Sequence, residues 1–323
     1  MRALLAALLL FAAQAMAAPF DLEGYQDADG PVRLKRGGDF MDPYFALKAL
    51  LLAQRYGLDA KPALTRLIGW MLPRQKADGS FDRYCRRADG LWEACRRADA
   101  DDSMLALWIE ALDVAAPPEG APPGWVVSAA WAEAALERNR EATGVYRIFA
   151  DQPVALFMDN VEILAALRHL AASAEKRGDG NAAARWKGRL AALEDGLPRV
   201  FGDGLARPLR ISTQERNDWD FYPDGVAEAF GWLHGYPAAA DGPRMRRWLA
   251  QNGDAWKRFA EHNAPWGIIA LAALDAGETA VARDWRDRQR KARSGEHWNV
   301  LEEAAYQAIG AALPIAGPAA AKP

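Results

Sequence analysis

One phrase recurs along this chain and limits what it can fold into: an acidic, aromatic loop that runs straight into an apolar helix. It reads GGDFMDPYFALKALLLA from Gly37 and RADADDSMLALWIEAL from Arg97. It returns as LFMDNVEILAALRHL from Leu156 and as NDWDFYPDGVAEAFGWL from Asn217, with weaker copies from Glu261 and Glu296. Apolar residues keep helical spacing almost throughout. The spacing predicts helices near 42–56, 61–76, 101–115, 124–140, 158–178, 181–201, 223–235, 243–260, 265–276, 278–293 and 298–312. Gly, Pro, Asp and Asn bound most of them, as helix ends require. Short extended segments are expected at Gly79–Tyr84, Val145–Phe149 and Leu205–Ile211.

Two kinds of helix alternate. Those that follow the acidic phrase are apolar on most faces, as at Leu47, Leu50, Leu51 and Leu52, or at Met104, Leu105, Leu107, Trp108 and Ile109. Those between them carry one apolar stripe and many Arg, Lys and Glu. A helix apolar all round is buried, and one with a single stripe covers it. Repetition of this pair over the whole chain implies an all-α fold, an (α/α)6 toroid of helical hairpins with short β segments in the loops. An open solenoid is the other arrangement such a repeat permits. In a toroid the inner helices run parallel, so the acidic phrases gather at one mouth.

The ends and the composition set the context. Met1-Arg2, an apolar run to Ala13 and the small-x-small site Ala15-Met16-Ala17 read as a signal peptide over residues 1–17, which implies export to the periplasm or medium. Residues 18–313 are expected to form a single domain, and the Ala/Pro-rich tail 314–323 to be disordered. No later segment is long and apolar enough to span a bilayer. A net charge of −3 announces no basic face for nucleic acid. The two cysteines, Cys85 and Cys95, share one loop, and in an oxidising compartment a local disulfide between them is expected. Four scattered histidines, His169, His234, His262 and His297, have no metal-ligand spacing, so neither metal nor cofactor is expected.

A lone Asp at a helix start is ordinarily an N-cap. Asp42 before Pro43 fits that role, and Asp159 or Asn160 fits it on the fifth helix. Asp99, Asp101 and Asp102 crowd one helix start, and Asp218, Asp220 and Asp224 another, which is more carboxylate than capping needs. Clustered carboxyls raise one another's pKa, and that keeps a general acid protonated beside an ionised base. Asp101, Asp218 and Asp220 are therefore candidate catalytic carboxylates. Thirteen tryptophans accompany them. Flat rings at the mouth suit the apolar faces of sugars, whose hydroxyls bond to Asp and Asn. Tyr44, Trp92, Asp102, Asp159, Asn160, Trp219, Tyr222, His262 and Trp266 are the candidate substrate contacts.

The repeat resembles the six-hairpin glycosidases, and the first third is similar to family 8 glycoside hydrolases. The resemblance rests on Asp39 or Asp42 before the helix from Tyr44 to Leu52, on the turn Asp78-Gly79-Ser80-Phe81, and on Asp99-Ala100-Asp101 opening the third helix. It implies a secreted or periplasmic hydrolase acting on a polysaccharide or oligosaccharide through Asp general acid–base chemistry, and it adds Asp39 and Asp42 to the candidate catalytic carboxylates; a monomer is expected. The family carries its acid as Glu in a Ser-Glu-Gly context, whereas this chain has Gly38-Asp39-Phe40. That departure leaves open a toroid that binds glycans without cleaving them. Met158-Asp159-Asn160 and Ala100-Asp101-Asp102-Ser103 also look like the helix starts of unsaturated-uronyl hydrolases. His262-Asn263 keeps a polysaccharide lyase of the same fold in play.

Overall fold

The predicted helices form, and their ends follow the punctuation in the sequence. A computed structural model describes residues 17–314 apart from Leu205, Arg216, Asn217 and Ser294. The expected signal peptide up to Met16 and the expected tail beyond Pro314 lie outside the described residues. In chain order the first elements are β1 (Ala18–Pro19), β2 (Phe40–Met41), α1 (Pro43–Arg55), β3 (Leu58–Asp59), α2 (Lys61–Met71), β4 (Asp82–Arg86) and β5 (Trp92–Arg97). Next come α3 (Asp102–Ala115), α4 (Pro123–Asn139), α5 (Phe157–Lys176) and α6 (Gly180–Val200). The last are α7 (Val226–Leu233), α8 (Gly242–Ala260), α9 (Gly267–Asp275), α10 (Thr279–Gln289) and α11 (Val300–Ala312). The fold is mainly α-helical, with no described helix long and apolar enough to cross a membrane.

Local chemistry explains most boundaries. Asp42 caps α1, accepting from the Tyr44 N–H at 3.0 Å, with Pro43 at the first helical position. Asn299 caps α11 through the N–H groups of Leu301 and Glu302. The fifth helix departs from expectation. It opens at Phe157, which puts Asp159 inside the first turn, and neither Asp159 nor Asn160 is the cap. The Asn160 amide instead ties α5 to Tyr146, accepting from its N–H at 2.7 Å and donating to its carbonyl at 2.9 Å.

The strands are short. β2, β4 and β5 form one antiparallel sheet, and β1 pairs with β3 in parallel. Trp92–Arg97 forms a strand the sequence reading omitted, since WEACRR carries little apolar alternation. Val145–Phe149 makes only isolated bridges. In the DGSF turn Gly79 takes φ +87°, and a Cβ there would lie 2.4 Å from the Trp131 carbonyl of α4. That close approach, open only to glycine, seats the hairpin on the helices.

The helices pack in a cyclic order. α1 packs on α3, α3 on α5, α5 on α7, α7 on α9, α9 on α11, and α11 back on α1. Burial follows the two helix types. α9 buries every residue from Gly267 to Ala273, whereas α8 buries only Met245, Trp248, Gly253 and Trp256 along one stripe. α2, α4, α6 and α10 each pack outside one or two members of the cycle. α8 attaches through the turn Phe221–Gly225, where the Trp248 indole donates to the Gly225 carbonyl at 3.0 Å.

Candidate functional site

A cavity of about 320 Å³ opens where the starts of the six cyclic helices meet. α1 supplies Tyr44, Phe45 and Lys48. The approach to α3 supplies Asp99, Ala100 and Ser103, and the start of α5 supplies Leu156, Met158 and Asp159. Tyr222 and Phe230, Trp266 and Leu301 come from the α7, α9 and α11 segments. The volume lies at the small end of the usual range for ligand cavities, about 300–1,000 Å³.

Its floor is a buried polar triangle. Lys48 Nζ stands 2.5 Å from Glu162 Oε1 and donates to the Tyr44 hydroxyl at 2.9 Å. That hydroxyl in turn donates to Glu162 Oε2 at 2.8 Å. The Lys48 ammonium also lies over the Phe230 ring, 4.1 Å from its centroid. Burial, then the Glu162 charge, push the Tyr44 phenol well above its ordinary pKa, so it stays protonated.

Asp159 and Asp102 carry the unusual electrostatics. Asp159 is raised to about 7, first by burial and then by the Glu162 carboxylate one turn along α5, with Lys48 pulling the other way. Asp102 sits just behind the wall, fully shielded from solvent. Neither of its oxygens has a side-chain donor. Burial and then the neighbouring Asp159 hold it well above the carboxylate range. The two carboxyls interact and titrate as a pair, so near neutrality they retain protons that isolated carboxyls would have lost.

No protein-family model matches the chain, and no curated protein is similar to it.

An aromatic pair faces these acids. Tyr222 and Trp266 stack with centroids 4.8 Å apart and planes 28° apart. Trp266 is held in the left-handed region, φ +51° and ψ +58°, a conformation that costs a non-glycine residue energy. Three buried side chains fix that turn. The indoles of Trp256 and Trp285 both donate to the Pro265 carbonyl, at 2.9 and 3.1 Å. The Gly267 N–H donates to Glu302 Oε2 at 2.7 Å. Burial raises the Glu302 carboxyl to about 7 in spite of that hydrogen bond.

At the rim, Arg83 of β4 joins two helix starts. Its Nε lies 2.7 Å from Asp42 Oδ2, and its outer nitrogen 3.1 Å from Asp99 Oδ1. The Cys85–Cys95 disulfide links β4 to β5, with 5.7 Å between Cα atoms, and so clips the hairpin that leads into Asp99. Burial raises the Asp42 carboxyl, with Arg83 opposing.

Tyr44, Asp159, Tyr222 and Trp266 thus come together on the cavity wall, with Asp102 behind them. Other candidates are placed elsewhere. The Asp39 side chain is 74% exposed and lies 3.8 Å from Arg33. Asp42 is committed to the cap and to Arg83. Asp101 is pushed up to about 6 by burial, but it stands outside the cavity wall, its N–H bonded to the Ile148 carbonyl. Asp218 and Asp220 lie on the exposed approach to the turn before α7, also outside the wall, and Asn217 beside them lies outside the described residues. The Asp220 N–H donates to Asp224.

The remaining aromatic and amide candidates serve other ends. The Trp92 indole donates to Asp27 at 3.0 Å and packs near Trp70, because the hairpin turns it toward α2. Asn160 is wholly buried in its tie to Tyr146. Trp219 is 61% exposed, and His262 is exposed in the turn after α8; neither lines the cavity. Sequence reasoning passed over Lys48, Glu162 and Glu302. A signal existed: Lys48 is one turn from Tyr44 in an otherwise apolar run, and Glu162 is one turn from Asp159 on a buried face. Among the described residues no group of three or more His, Cys, Asp or Glu is placed to hold a metal ion.

Proposed function

We propose that this chain is an exported (α/α)6 toroid that hydrolyses a glycosidic bond, with Asp159 as the general acid. The observation that carries the reading is Asp159 and the stacked Tyr222 and Trp266 on one cavity wall, with Asp102 buried behind it. The cyclic packing of α1, α3, α5, α7, α9 and α11 supports the toroid. The Cys85–Cys95 bond supports an oxidising compartment.

The chemistry follows from the geometry. A sugar ring lies on the Trp266–Tyr222 pair. Asp159, still protonated near neutral pH, gives its proton to the glycosidic oxygen as the anomeric C–O bond breaks and the electron pair leaves with that oxygen. Water adds to the anomeric carbon, and its proton passes to Asp99, the other carboxylate on the wall. Burial and the Glu162 carboxylate keep Asp159 protonated, and Asp159 in turn helps to hold the proton on Asp102 behind it. Lys48 and Tyr44 hold Glu162 in place beneath it.

Release of reducing ends from a panel of oligosaccharides, with the wild type against Asp159→Asn, tests this reading. Turnover that disappears in the variant is expected. Binding of oligosaccharides with no turnover by the wild type would instead identify a glycan-binding toroid.

A further inference from the structure

The cavity is short of cations and rich in acceptors. Lys48 is the one cation among the described residues that line it, and Glu162 already holds that charge at 2.5 Å. Arg83 at the rim is engaged by Asp42 and Asp99. Around these two cations stand five carboxyl groups: Asp99 and Asp159 on the wall, Asp102 behind it, Asp42 at the rim and Glu162 against Lys48, of which Asp159 and Asp102 hold protons near neutrality and so donate as well as accept.

A carboxylate only accepts hydrogen bonds. A uronate brought onto Trp266 would add an anion beside Asp99, with no unengaged cation among the described residues that line the cavity to receive it. Like charges a few ångströms apart in a partly shielded site repel strongly. A neutral hydroxyl both donates and accepts. It can donate to the carboxyl oxygens of Asp99 or Asp159 on the wall while the apolar face of its ring lies on Trp266 and Tyr222. The surplus of acceptors thus calls for a ligand rich in hydroxyl donors and free of negative charge.

We propose that the cavity takes an uncharged sugar ring, stacked on Trp266 and Tyr222, and turns away uronates. The proposal rests on the reading of this cavity as a glycan site.

The test compares binding of oligouronides with their carboxyl-reduced, neutral counterparts of the same linkage, alongside neutral gluco-, xylo-, manno- and galacto-oligosaccharides, by calorimetry and tryptophan fluorescence. At least one neutral ligand is expected to bind at least tenfold more tightly than any uronide. Trp266→Ala is expected to abolish that binding while circular dichroism shows the helices intact. Any residual uronide binding should strengthen as salt is added, because salt screens repulsion. Uronide binding that equals or exceeds the neutral ligand, or that weakens with salt, would overturn the proposal and leave the glycan site standing. Binding of neither class overturns the glycan reading and this inference with it.

Discussion

Glu162 of α5 and Lys48 of α1 form an ion pair 2.5 Å long, with the Glu162 side chain wholly shielded and that of Lys48 6% exposed. The pair joins two helices that are not neighbours in the cyclic order, and it floors the cavity beneath Asp159. Removing one partner leaves an uncompensated buried charge, which ordinarily costs about 3–5 kcal/mol. Lys48→Met should lower the free energy of urea unfolding by about that much. Adding Glu162→Gln to the same chain should restore most of the loss. An additive double variant would mean the two residues do not act as a pair.

Asp159→Asn should reduce kcat by about 10²–10⁴-fold, the usual contribution of a positioned general acid. Asp101→Asn and Asp218→Asn, which alter carboxyls outside the cavity, should leave it nearly unchanged. The acid works only while protonated, so the wild-type rate should fall as pH rises through about 7, where Asp159 loses its proton. A rate that climbs through that range would assign Asp159 a different role.

Glu302 provides a stability test that needs no substrate. Burial raises its carboxyl from 4.5 to about 7. Between those values the folded chain holds a proton that the unfolded chain has released. The stability this group contributes is therefore complete below pH 4.5 and is lost as pH rises through about 7. Asp159 and Asp102 act in the same sense. Melting temperature should decline across this window, and Glu302→Gln should flatten part of the decline, as followed by circular dichroism at closely spaced pH values.

Gly267 admits no side chain. A Cβ there would lie 2.6 Å from the Ala305 methyl and 2.8 Å from the Trp285 ring. Gly267→Ala should destabilise the fold by about 1–3 kcal/mol through overpacking. Because the same residue anchors the Trp266 turn, saccharide-induced quenching of tryptophan fluorescence should shrink in the variant. Unchanged unfolding and unchanged quenching would remove the turn from the account.

The Cys85–Cys95 bond closes a loop with a sequence separation of 10. Chain-entropy reasoning gives such a loop about 2–3 kcal/mol. The double variant Cys85→Ser, Cys95→Ser should lose that much in denaturant titration. Its activity should fall as well if the clipped hairpin fixes Asp99 through Arg83.

The sequence by itself determined the helices, their two types and several of their ends. Those properties depend on residues a turn or less apart: the apolar run after Pro43, the cap at Asp42, the single stripe of α8. It also determined the disulfide, because only one pairing exists. It did not determine which carboxyls meet. Asp42, Asp101, Asp159 and Asp220 all look alike as acidic residues at or near helix starts, and one turn of rotation decides whether such a side chain caps its helix, faces solvent or enters the cavity. Helix α5 begins two residues before Asp159, which places it on the wall above Glu162, while Asn160 turns away to hold Tyr146. Lys48 in an apolar helix gains a partner only when α5 is laid beside it. The cavity's charge balance is a sum over α1 with its cap, β4, the start of α3 and α5, and only tertiary packing brings the terms of that sum together.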